Sequence, residues 1–260
     1  MAINNQLIRP FRLAGFTLIE VAVGLLVLSL LLVAVLSPIS TQIDQRKISD
    51  TQNTLNQINE ALIGYALSKG YLPCPDRTTG AAAPTNPNDT GPNDGSEDLT
   101  AGTTCMFNEG NLPWTTLGIP PTDAWGNFYR YRVDANFANH VSPTSITLAS
   151  QGTLTVKCPA TACPPSGTTY ATTAPAVVMS HGKNGWGAIN GSTKARISTA
   201  DASADELQNV THAIAGTFYL RVSTTGGAAA AGTVTPFDDI VVWLSTPVLM
   251  GRMVSAQKLP

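Results

Sequence analysis

The sequence predicts an α+β fold: a long N-terminal helix packed on an antiparallel β-sheet of four or more strands, with disulfide-closed loops. Three observations predict it. An apolar run followed by an amphipathic stripe reads as one helix over residues 16–69. Short segments rich in Val, Ile, Leu and Thr, punctuated by Gly and Pro, read as strands after it. Four cysteines, an even number, all lie beyond the helix.

Composition sets the frame. A chain of 260 residues holds one or two domains. Charged residues make up only 12%, low for a soluble protein. Part of that deficit is the N-terminal apolar run, and the rest is a body rich in Thr, Ser, Gly, Ala and Pro. Net charge is −2, with no basic block, so nucleic acid is not indicated as a partner.

Residues 1–15 carry Arg9 and Arg12 and no acid. The apolar run that follows is too long for a secretory signal, and no small-residue cleavage site closes it. Phe16 to Ser37 as a helix measures roughly 33 Å, enough to cross a hydrocarbon core of about 30 Å. Arginines on the N-terminal side hold that end in the cytoplasm. The expectation is therefore a single pass of the inner membrane over 16–37, with an extracytoplasmic head over 70–260. One feature is at odds with a simple anchor. Glu20 lies inside the apolar run, where a carboxylate is costly and marks a function that supplies a cationic partner.

After Pro38 the helix resumes. Ile48, Leu55, Ile58, Leu62 and Tyr65 recur at spacings of seven, three, four and three, with Asp44, Arg46 and Lys47 just before them and Asp50, Gln52, Asn56 and Asn59 between them. That is an amphipathic stripe facing a sheet. Gly70 and Pro73 stop the helix.

Cys74, Cys105, Cys158 and Cys163 allow three pairings. Their positions favour Cys74 with Cys105, closing the polar loop after the helix, and Cys158 with Cys163, closing a turn. Zinc is not indicated: Cys158 and Cys163 lack a second compact pair, and His140, His181 and His212 are scattered. Ala81 to Gly102 is poor in apolar residues and reads as a solvated loop. It does not fit an EF-type calcium loop, because Asp94, Pro92 and Thr90 occupy the alternate positions before Gly95.

Strands are expected over Phe128–Val133, Ser145–Lys157, Ala176–His181, 216–224 and 238–244. Ser180-His181-Gly182-Lys183-Asn184-Gly185-Trp186-Gly187 is a Gly-punctuated loop without phosphate-loop or dinucleotide spacing. Ser180 and His181 are adjacent on a strand and point to opposite faces, which argues against a nucleophile pair. Ser245 to Gln257 reads as a short helix, N-capped by Ser245 or Thr246, with Pro247 at its first position. Its apolar stripe would be Val248, Leu249, Met253 and Val254.

Two stretches carry a family resemblance. Gly15-Phe16-Thr17-Leu18-Ile19-Glu20, followed by V-x-V-G-L-L-V-L, resembles the processing site and N-terminal helix of type IV pilins and type II secretion pseudopilins. It covers residues 9 to about 37. Asp123-Ala124-Trp125-Gly126-Asn127-Phe128-Tyr129-Arg130-Tyr131 resembles the D-P-W-G-N-P-Y-x-Y segment of major pseudopilins, with Ala and Phe replacing the two Pro. Pro38 stands 22 residues after Phe16, one more than is frequent in the family.

The resemblance implies a prepilin whose leader, residues 1–15, is cut by a prepilin peptidase between Gly15 and Phe16. The new amine of Phe16 would be methylated. Loss of the leader removes two Arg and no acid, taking the net charge from −2 to −4. Glu20 would neutralise the Phe16 amine of a neighbouring pilin-like subunit during filament assembly. Major pseudopilins also hold calcium near a C-terminal Asp-rich segment that Asp238 and Asp239 match in kind, and residues 182–187 are similar to the family's G-x-D-G-x-x-G loop with Asn184 in place of the acid. The expected function is a structural, non-enzymatic filament subunit. One alternative is a pilus-tip or uptake component that binds DNA or another ligand through exposed Arg130, Arg132 and Arg221. The other is a membrane-anchored periplasmic protein of different function, for which no catalytic set is legible.

Overall fold

A computed structural model describes residues 15, 17–79, 91–100, 103–140, 146–223 and 236–259; of residues 32–40 it describes the backbone alone. Phe16 and residues 1–14 of the leader lie outside the described residues. The chain divides into two units at Arg46 and Lys47. In chain order the elements are α1 (Leu18–Lys69), β1 (Leu99–Thr100), β2 (Thr104–Cys105), β3 (Glu109–Asn111) and α2 (Trp114–Leu117). Then come β4 (Arg130–Val133), β5 (Leu154–Cys158), β6 (Thr168–Ala174) and β7 (Ala176–Ser180). The last are α3 (Ala204–Thr211), β8 (Thr217–Tyr219), β9 (Ile240–Leu244) and α4 (Thr246–Ser255).

In the first unit, α1 presents Leu18, Ile19, Val21, Val23 and Leu25 to Leu28 with relative exposures of 48–89%. Among the described residues no helix is long and apolar enough to cross a membrane. The expected span, 16–37, includes Phe16 and the side chains of 32–37, which lie outside that set.

The second unit holds two main sheets and a two-stranded ribbon of β1 and β2. The larger, in order β3-β4-β7-β9, is antiparallel throughout. Strand β7 is buried on both faces, and its side chains alternate between two cores as the two-residue strand period requires. Ala176 and Val178 join Tyr131 and Val133 of β4 against Leu55, Ile58, Leu62, Ile63 and Ala66 of α1. Leu249, Met250 and Met253 of α4 complete that layer. Val177 and Met179 face the second core, with Leu154, Val156, Ala174 and Phe218. The stripe read from the sequence is therefore the buried face of α1, with Ile48 and Tyr65 at its half-buried margins. Gly70 ends the helix with φ +85°, and its N–H reaches the Ala66 carbonyl at 2.8 Å, a left-handed cap that favours glycine.

Several expectations change. The second sheet, in order β6-β5-β8, is mixed, because β5 and β8 run parallel. The strand expected from Ser145 begins only at Leu154. Before it, Thr153 is tied to Asp134 through its N–H (2.8 Å) and hydroxyl (2.6 Å), and Ser150 donates its N–H to the Thr147 carbonyl. In α4 the buried face is Leu249, Met250 and Met253, while Val248 and Val254 are exposed. Ser245 is the N-cap.

The loop expected to be solvated over 81–102 is described over 91–100, where Asn93, Gly95, Ser96 and Asp98 are buried and Pro92 and Thr100 are exposed. Asp98 forms a buried ion pair with Arg77. Asp76 accepts the Asn93 N–H at 3.0 Å and the Gly95 N–H at 3.1 Å. Burial pushes the Asp76 carboxyl up to about 7. Disulfides join Cys74 to Cys105 and Cys158 to Cys163.

Candidate functional site

The N-terminal motif enters the structure at Thr17. Thr17 donates its N–H (3.0 Å) and its hydroxyl (2.9 Å) to Glu20 Oε2, and Glu20 returns its N–H to Thr17 Oγ1 at 3.3 Å. This is a capping box in the first turn of α1, where N–H groups have no intrahelical acceptor. Gly15 is exposed. Phe16, the expected site of cleavage and methylation, lies outside the described residues.

The Asp123–Tyr131 segment forms a turn that docks on β7. Asp123 Oδ1 accepts the N–H groups of Trp125 (2.9 Å) and Asn127 (3.0 Å), and Gly126 takes φ +85°. Asp123 Oδ2 accepts the Ser180 hydroxyl at 2.6 Å. Burial pushes the Asp123 carboxyl up, against the opposing pull of these hydrogen bonds. Ser180 is thus engaged with Asp123 and not with His181.

The most chemically loaded cluster surrounds Asp238 and Asp239, just before β9. Glu206, in the first turn of α3, meets them, and one carboxylate oxygen from each of the three lies within 4.8 Å of the others. Glu206 is positioned by a second capping box: its N–H donates to Ser203 Oγ at 3.3 Å, and its Oε2 accepts the Ser203 N–H at 3.0 Å. Its Oε1 accepts the Asn184 side-chain amide at 2.8 Å. Asn184 also donates its backbone N–H to Asp238 Oδ2 at 2.8 Å. Asn209, one turn along α3, donates to Asp239 Oδ2 at 2.8 Å. The approach is close because residue 182 is glycine: a Cβ there would sit 2.3 Å from the Asp238 carbonyl oxygen, and its φ of +62° suits glycine.

These carboxylates are electrostatically incomplete. Burial first, and then the charge of Glu206, push Asp238 up to about 6. Burial pushes Asp239 far above the usual carboxylate range. Asp238 Oδ1 is buried without a hydrogen-bond partner among the described residues. Oxygens bound to one calcium ion at about 2.4 Å lie at most about 4.8 Å apart. The donor set is all-oxygen and anionic, as a hard cation requires. The residues therefore fit calcium, with Glu206 a third carboxylate that the sequence reading missed. Its signal was legible: Ser203-x-x-Glu206 before Leu207 and Val210 is a helix-start signature. A second group, Cys74 with Glu97 and His140, has its sulfur in a disulfide and offers no thiolate.

The arginines expected to form an exposed face do not. Arg130 and Arg132 lie on β4 opposite β3 and both pair with Glu109, Arg132 at 2.9 Å. His212 Nε2 adds a contact to Glu109 at 2.8 Å. Burial pushes Glu109 up, but the His212 hydrogen bond and the charges of Arg130, His212 and Arg132 outweigh it and hold the carboxyl at about 2. Arg221 is buried, pairs with Asp205 at 2.9 Å and lies over the Phe237 ring at 4.7 Å. Arg130 and Arg132 thus share one cross-strand carboxylate, while Arg221 pairs with a carboxylate of α3. No family model, curated protein or solved structure matches this chain.

Proposed function

We propose that this chain is a structural filament subunit, a type II secretion pseudopilin or minor type IV pilin. The observation that carries the reading is the Gly15-Phe16-Thr17-Leu18-Ile19-Glu20 motif at the head of an uncovered apolar helix. A contiguous apolar surface of that extent needs lipid or other subunits to cover it. In this reading the membrane covers it first and the filament later. Prepilin peptidase cuts after Gly15 on the cytoplasmic side and methylates Phe16. Glu20 then draws in the Phe16 amine of the neighbouring subunit, since a buried carboxylate and a buried ammonium each need the other.

The two disulfides support an oxidising compartment for the head. The Asp123–Tyr131 segment favours the secretion branch. Glu206, Asp238 and Asp239 would hold calcium, which neutralises the carboxylates and ties the 182–187 loop, α3 and β9 together. The role is structural and not enzymatic.

Fractionation of the source cell tests the reading. Filaments sheared or purified from it should contain the chain. A chain confined to the membrane fraction, while filaments assemble without it, contradicts the proposal.

A further inference from the structure

A cavity of about 200 Å³ lies beside β3, β4 and the loop after β7. It uses none of the residues proposed for processing, assembly or calcium. Its lining is mixed: Arg130, Arg196, Thr78, His181 and Glu109 are polar, and Phe128, Ala188 and Ile189 are apolar.

The charges do not balance within the cavity. Glu109 is already shared by Arg130, Arg132 and His212. Arg196 donates to the Gly187 carbonyl at 2.7 Å and the Thr78 hydroxyl at 3.3 Å. It has no carboxylate within ion-pair distance among the described residues. His181 is 1% exposed, and neither ring nitrogen has a hydrogen-bond partner among the described residues. Its Nδ1 stands 3.8 Å from Asp239 Oδ1, beyond hydrogen-bonding range. In either protonation state the ring carries at least one N–H, and a buried donor left unpaired is costly.

We propose that this cavity binds a carboxylate carried on a short apolar stem. The carboxylate takes charge-assisted hydrogen bonds from Arg196 and Arg130 and accepts the His181 N–H, while the stem packs on Phe128 and Ile189. A phosphate dianion suits the site less, because Glu109 lines the cavity and Asp239 stands behind His181. The volume falls below the range of about 300–1,000 Å³ usual for whole ligands, so the occupant is the size of a side chain. It comes either from a free small acid or from the carboxylate of a polypeptide.

Isothermal titration of the full-length chain in detergent separates these sources. The probes are 4-methylpentanoate, its amide, inorganic phosphate, and a leucine-terminated pentapeptide with a free or amidated C-terminus. The acid should bind saturably and the amide should not. Arg196→Gln, at an exposed position, should keep the thermal midpoint and weaken the acid by about tenfold or more. Tighter binding of the free-ended peptide than of 4-methylpentanoate assigns a polypeptide source, and equal or weaker binding assigns a small acid. The proposal is overturned if the amide binds as well as the acid, if phosphate binds instead, if Arg196→Gln changes nothing, or if no saturable heat appears.

Discussion

Thr17 and Glu20 cap each other. Both Thr17 donors converge on Glu20 Oε2, at 3.0 and 2.9 Å, and the Glu20 N–H returns to the Thr17 hydroxyl. The carboxylate inside the apolar run therefore has a partner within its own chain. Oε2 takes both Thr17 bonds, and in the proposed filament Oε1 would face the cation. A cut after Gly15 would leave Thr17, and hence this cap, intact.

That geometry separates the two roles of Glu20. Glu20→Gln keeps an acceptor for Thr17 and removes the charge, since Gln also closes a capping box. It should be processed normally and enter filaments poorly. Thr17→Ala should loosen the first helical turn and still assemble, as the carboxylate remains. Immunoblots of purified filaments read both outcomes, and normal incorporation of Glu20→Gln would remove the charge-pairing role.

Stability of the calcium-free chain should fall as pH rises through the window set by Asp238. Its folded pKa, about 6, lies above the usual value for an aspartate. The folded state thus holds the proton that the unfolded state has released, and that advantage is lost on passing pH 6. Asp239 acts in the same sense, and so does Asp76, which is raised to about 7. Calcium should offset the Asp238 and Asp239 contribution. At a hundredfold excess over Kd it adds about 2.7 kcal/mol, roughly 5–10 °C in Tm for a head of this size. Thermal melts with calcium and with chelator check this. In Asp238→Asn the calcium increment should vanish, and the chelated protein at pH 7 should melt no lower than wild type.

Glu109 works in the opposite direction. Its folded pKa, about 2, lies below the usual glutamate value. Its stabilisation is present above about pH 4.3 and is lost as pH falls toward 2. Glu109→Gln would leave Arg130, Arg132 and His212 facing one another, at a cost of about 3–5 kcal/mol. Urea unfolding at pH 7 measures it, and a loss below about 1 kcal/mol, well under that range, would show the cluster to be solvent-screened.

The disulfides should contribute unequally. Cys74 and Cys105 are separated by 31 positions, Cys158 and Cys163 by five. Loop-closure entropy then assigns about 3.7 kcal/mol to the first and about 2 kcal/mol to the second. Paired Cys→Ser variants in urea unfolding would show the order, and a reversal would point to strain or residual structure in the unfolded chain.

Legibility in the sequence followed the range of the interactions. Leu55, Ile58 and Leu62 sit at helical spacing, and β7 and β9 are continuous apolar runs, so local pattern sufficed. Pairing each cysteine with its nearest neighbour in the chain also matched the structure. β3 was hidden because Glu109-Gly110-Asn111 has no strand propensity; it is held by β4 and by Asn111 bridging to Asp76, with N–H···O contacts of 2.8 and 3.0 Å. The parallel pairing of β5 with β8 joins segments with α3 between them, and periodicity does not encode such a partner. Glu206 was missed for the same reason, 32 positions before Asp238, although its capping box with Ser203 was readable. In α4 the tertiary contacts of Met250, not the spacing of the valines, decided which face is buried.

The central claim is that the chain is processed as a prepilin, and the intact mass of the native protein tests it most directly. The expected species lacks residues 1–15, begins at Phe16 and carries one added methyl group on its new amine. A chain that retains the leader, or one cut at another bond, would contradict the filament-subunit reading.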